Sequence, residues 1–197
     1  MSVHTPESGW SALALHPLEA HDVVAPHGRS ARQPMATLDE TVHEHHAHLI
    51  PGVDALLDTA RMVGTVSCEE LRPRVLEARG FLAGSLLPHM DAAERAVYPR
   101  LESALSDTNA LAPLRREHEE ARRLVAELGR LCDAHKDGIY RRGEALALRR
   151  VLYRIHAIVR VHLDEEEMLA ALLAHSIDPD EAALVAADLA HAVSIPL

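Results

Sequence analysis

The sequence predicts an all-α protein: an up-down-up-down four-helix bundle with an irregular N-terminal arm before it and a short C-terminal helix after it. Three observations lead there. Apolar residues make up 48% of the 197, yet Phe81 and Trp10 are the only Phe and Trp, so the core must be built from Ala, Leu, Val and Ile, and helix formers dominate. Four long amphipathic stretches follow one another with short links. The spacing then repeats, because His46 to His89 is 43 residues and His118 to His162 is 44. Helices 1–2 and 3–4 therefore read as two copies of one hairpin, with a His on each arm, and a pseudo-two-fold arrangement brings all four to one level.

Taken in order, residues 1–35 hold His4, His16, His21 and His27 among Pro, Ser and Gly, and read as the arm, its histidines facing solvent. The bundle is expected over 36–175 and the last helix over 176–197, packed on or beside it. The first helix opens on a capping box, Thr37-Leu-Asp-Glu40, and ends near Gly64. The second opens on Ser67-Cys-Glu-Glu70 and runs to about Leu105, with Pro73, Pro88 and Pro99 delaying, kinking or splitting it. The third has Pro113 in its first turn and reaches about Ala134; the Asp137-Gly138 turn leads to the fourth, from about Arg142 to His175. Asp178 as cap, Pro179 and Glu181 signal the last helix.

A net charge of -10, with only short basic pairs such as Arg122-Arg123, argues against a nucleic-acid or anionic-membrane surface. No stretch is apolar enough to span a bilayer, and the N-terminal residues lack a signal-peptide pattern, so a cytoplasmic protein is expected. Cys68 and Cys132 read as small core residues. Nucleophile motifs, phosphate-cradling Gly loops and dinucleotide fingerprints are missing. Either a monomer or a homodimer is compatible with these features.

The 15 histidines are the excess to explain. On helix 4, Glu166 lies at the centre of the apolar stripe and His162 within about 35° of it. An ionisable pair on an apolar face is costly unless compensated, and a spacing of four sets both side chains one turn apart, as two ligands of a metal centre require. His89 lies inside the stripe of helix 2, and His118 shares the apolar side of helix 3 with Leu111, Leu114 and Val125. On helix 1, His46 and His45 fall roughly 50° to either side of the stripe, and the register does not choose between them. His135, His156, His175 and His191 read as surface or packing residues, Glu165 and Glu167 as solvated or supporting ones.

These segments resemble the hemerythrin-like, HHE cation-binding family, whose pattern is a lone His on the first and third helices and His-x-x-x-Glu on the second and fourth. They are Glu44-His-His46-Ala-His-Leu-Ile-Pro51, Leu86-Leu-Pro-His89-Met-Asp-Ala-Ala93-Glu94, Arg116-Glu-His118-Glu-Glu120 and His162-Leu-Asp-Glu-Glu166-Glu167. The resemblance spans roughly 37–174 and favours His46 over His45. It implies a pair of iron ions bridged by oxygen and carboxylates, held by His46, His89, Glu94, His118, His162 and Glu166. It also implies a protein that binds or senses dioxygen, nitric oxide or peroxide, rather than a dedicated enzyme. One position departs: where the pattern has Glu four after His89, this chain has Ala93. Glu94 lies roughly 100° off the stripe of a regular helix, and a local bulge after Pro88 would turn it inward. The alternatives are a mononuclear iron or zinc site, or a regulatory helical module with an incomplete site.

Overall fold

Four helical rods pack in a ring, and the first two begin at capping boxes. The computed structural model describes residues 37–135, 138–174 and 178–194, the side chains of Ala96 and of 189–194 excepted. The expected arm with its histidines, and the placements expected for His175 and His191, lie outside the described residues. The first rod, α1 (Leu38–Met62), starts at the Thr37/Glu40 capping box, in which both reciprocal hydrogen bonds form. It stops before Gly64, whose φ of 80° needs a residue without a Cβ.

The second rod runs from the Ser67/Glu70 capping box without a break, in five pieces: α2 (Cys68–Phe81), a π-helical turn (Leu82–Leu86), α3 (Leu87–Ala92), a second π-helical turn (Ala93–Val97) and α4 (Tyr98–Ala104). The expectation of a delayed, kinked or split helix resolves into these two widenings. Each ends just before a proline, Pro88 or Pro99. A proline offers no N–H to the carbonyl four residues back, and its ring presses on that carbonyl. Widening the turn absorbs the misfit: Leu87 N–H donates to Leu82 and Tyr98 N–H to Ala93, each five residues back.

The third rod is α5 (Ala112–Ala134), with Pro113 in its first turn, and the fourth is α6 (Arg142–Ala174). Neighbours in the ring are α1 with α2, α2 with α5, α5 with α6, and α6 with α1. A last helix, α7 (Pro179–Ser194), is capped by Asp178, whose carboxylate accepts from Asp180 N–H at 2.9 Å. It lies against α1 and the second π-helical turn, and buries Val185 and Ala186 there. Cys132 is buried as expected, whereas Cys68 is exposed as the first residue of α2.

The apolar interior falls into two clusters. The larger joins Leu49, Val53, Leu56, Leu82, Leu86, Leu124, Leu152, Ile155 and Val159; the smaller joins Leu38, Val42, Ala93, Val97, Leu101, Leu114, Ala170 and Val185. On every rod the boundary between the clusters is a buried histidine: His46 after Val42, His89 before Ala93, His118 after Leu114, His162 before Ala170. A polar layer therefore crosses the bundle.

Candidate metal centre

Each rod supplies one imidazole to this layer. His46 (1% exposed), His89 (5%), His118 (0%) and His162 (1%) are all buried, whereas His45 is only half-buried. The structure thus turns His46 inward. Glu166 on α6, one turn beyond His162, enters at the middle of the layer.

The Glu166 carboxylate divides the four rings into two pairs. Its Oε2 accepts from His46 Nε2 at 3.1 Å and lies 3.3 Å from His89 Nε2. Its Oε1 lies 3.3 Å from His162 Nε2, which is itself 2.8 Å from His118 Nε2. Two groups of close-set donor atoms result, His46·His89·Glu166 and His118·His162·Glu166, with the carboxylate common to both. Tyr98 completes the second side: its hydroxyl donates to Glu166 Oε1 at 2.5 Å and lies 3.4 Å from His118 Nε2.

The far nitrogens of three rings have hydrogen-bond partners, and that of His46 has only a carboxylate nearby. His118 Nδ1 donates to Glu94 Oε1 at 2.6 Å and His162 Nδ1 to Glu117 Oε2 at 2.8 Å. His89 Nδ1 shares a proton with His45 Nε2 at 2.7 Å, and His46 Nδ1 lies 3.3 Å from Glu167 Oε1. A carboxylate on one imidazole nitrogen fixes the ring's tautomer and rotation and makes the opposite nitrogen a better electron donor. Glu94 therefore comes to His118 and to Arg122 Nη1 at 2.9 Å, and belongs to neither donor group. Ala93, buried at 3%, adds no polar atom.

The electrostatics follow from burial and pairing. Burial opposes the charge on Glu166, but hydrogen bonds from His162 and His46 outweigh it and hold the carboxyl well below the ordinary range. Burial, then the neighbouring His162, pushes His118 down to about 4, and burial with His89 pushes His45 down to about 3. His162 moves the other way, since Glu166 and Glu117 overcome its burial. Burial and the Glu166 charge raise the Tyr98 phenol, so it keeps its proton. Arg115 sits 5.3 Å over the Tyr98 ring and is itself gripped by Glu102.

A cavity of about 30 Å³ opens on the His46–His89 side, lined by Val42, Ala93, Val97, Leu101, Leu114 and Leu169 and floored by Glu166. It has room for one water-sized or diatomic molecule. Of the six expected site positions, His46, His89, His118, His162 and Glu166 lie in the layer and Glu94 just behind it, while Tyr98 and Glu117, which the sequence did not point to, adjoin it. A regular helix sets Tyr98 half a turn from His89, and only the widened turn at 93–97 carries it inward. The available signal was Pro99, which disfavours a regular turn there, although Pro51 and Pro73 sit within uninterrupted α-helix. Glu117 carries no local signal of its own, since it is one of three acidic residues flanking His118.

The donor set fits a metal on its own chemistry. His89 Nε2, fully buried and aimed at the carboxylate, has no hydrogen-bond partner, an expensive arrangement that an ion would relieve. Neutral imidazoles around a carboxylate suit iron or zinc. Among the described residues no helix is long and apolar enough to cross a membrane. No curated protein and no solved structure matches the chain. The family model for the hemerythrin HHE cation-binding domain matches residues 37–187, which takes in the whole polar layer and most of α7. The chain belongs to the hemerythrin family of HHE cation-binding proteins.

Proposed function

We propose that the polar layer holds two iron ions, His46 and His89 on one, His118 and His162 on the other, with Glu166 shared, and that the pair binds a small ligand such as dioxygen, nitric oxide or peroxide. The observation behind this reading is the Glu166 carboxylate, whose two oxygens face two separate pairs of Nε2 atoms. Bound there, iron would supply reversible redox change and an exchangeable coordination position. The chain's own residues supply the rest. The apolar lining beside Ala93 keeps bulk water from the His46–His89 side and admits a molecule of diatomic size. Tyr98 holds its proton at Oη, where it can donate to Glu166 or to a ligand beside it. Glu94 and Glu117 hold the Nδ1 protons of His118 and His162, leaving each Nε2 free to bind metal. Glu94 acts on this reading through His118.

Elemental analysis after iron-replete expression is expected to find two iron ions per chain, with a visible absorption that shifts on adding nitric oxide or azide. Glu166→Ala should lose both ions, and His46→Ala with His89→Ala only one. No bound iron, or a stoichiometry indifferent to Glu166→Ala, rejects the reading.

Ala93 favours a second reading, in which the His46–His89 side holds metal weakly and the protein is a mononuclear or zinc-binding module. Under it the wild-type chain retains one ion, and Ala93→Glu, which places a carboxylate in the cavity, raises the stoichiometry to two. If wild type already holds two, this reading fails.

A further inference from the structure

The outward side of α6 is unusually apolar for a solvent-facing helix. Leu146, Tyr153, Val161, Met168 and Leu172 on it are five of the nine large apolar side chains exposed among the described residues. A solvated helix face is normally polar. Leu146, Ala157 and Met168 recur every eleven residues, and Arg150, Tyr153, Arg154, Val161 and Asp164 fall between them on the same exposed side. An eleven-residue repeat keeps a stripe almost parallel to the helix axis, so this one runs straight for about 33 Å.

The charges along it are divided by sign. On the stripe itself, Arg150 and Arg154 occupy the first half and Asp164 the second, with Arg142 at the start of the helix and the half-buried Arg160 and Glu165 flanking the second half. Some have partners within the chain: Arg154 donates to Glu120 at 2.8 Å, and Glu165 is paired with Glu117. Side by side and parallel, two such helices would set like charge on like. Antiparallel, the basic half meets the acidic half and the helix dipoles oppose.

We propose that α6 pairs antiparallel with α6 of a second copy of this chain, about a two-fold axis level with Val159. Residues equidistant from that level then meet across the interface. Arg154 comes opposite Asp164 of the second copy, Ala157 opposite its Val161, and Leu146 opposite its Leu172. The small Ala157 beside the axis lets the two backbones approach, and a two-fold makes each ion pair occur twice. The same helix carries His162 and Glu166 on its inner side, so the contact lies behind the polar layer and leaves it closed.

Sedimentation velocity on the full chain reads this without reference to metal. A dimer is expected, and Ala157→Glu should give a monomer of unchanged helical circular dichroism. Arg154→Asp and Asp164→Arg should each weaken dimerisation by ~10-fold or more, and the two together should restore it. Restoration also controls for the lost Glu120 contact. A monomeric wild-type chain, a dimer indifferent to Ala157→Glu, or a double variant no tighter than the singles overturns the proposal. So does a dimer lost on removing residues 1–36 but not on changing α6, since the arm would then be the contact.

Discussion

At the residue scale, the polar layer sets the chain's response to acid. Unfolded, His118 and His45 take up protons near pH 6.5; folded, burial and neighbouring rings hold them down to about 4 and about 3. Between those values the unfolded chain binds more protons, so folding stability falls as pH falls. Glu166 has the same sign lower down, since the stability present above its unfolded value of 4.5 is lost as pH drops through its depressed folded value. His162 opposes them: its contribution is complete below 6.5 and is lost as pH rises through its raised value. For chelator-treated protein, denaturant titrations from pH 7 to 4 should show a loss on the order of 3 kcal/mol from His118, the better buried of the two depressed histidines. His118→Gln should flatten that slope; a slope unchanged by it would assign the acid sensitivity elsewhere. The choice between His45 and His46 belongs to this scale too. Their stripe angles are symmetric, so periodicity could not separate them, and packing turned one in as a layer member and the other toward its neighbour's Nδ1.

At the scale of elements, helix ends were legible because capping is a local code: Thr37 with Glu40, Ser67 with Glu70, and Asp178 before Pro179 all act within a few residues. The second rod was legible only as a problem. Three prolines announce an irregularity, but whether it becomes a break, a kink or a widened turn depends on what the flanking rods hold in place, which no local pattern records. The consequence reaches the site, because the turn at 93–97 shifts everything after it by about one residue, or ~100° of rotation. Tyr98, the first residue after the turn, reaches Glu166 on that account. Pro99→Ala returns the missing N–H and permits the regular register. The expected result is a chain that stays folded but shows a changed visible spectrum and weaker nitric oxide or azide binding, as Tyr98 rotates away. Unaltered ligand binding would show that the widened turn does not depend on the proline.

At the scale of the whole molecule, the ring of four rods was legible from composition, the short links and the repeated 43- and 44-residue spacing. The division of its interior was not, because it appears only when the stripes of all four rods are aligned. A sheet of imidazoles and carboxylates separates two apolar clusters that share few contacts of their own. Such a bundle has a built-in cleavage plane. Stripped of metal, the smaller cluster with α7 and the start of α1 can open as a unit while the larger one stays shut, since opening there loses less buried apolar surface. Amide hydrogen exchange of chelator-treated protein should therefore show two protection levels: a lower one for the amides around Val42, Ala170 and Val185, and a higher one around Leu56, Leu124 and Ile155. Reloading iron should merge them, because a ligand held from both sides closes the plane only when both halves are folded. The layer that would give the protein its chemistry would then also decide whether it folds as one body or two.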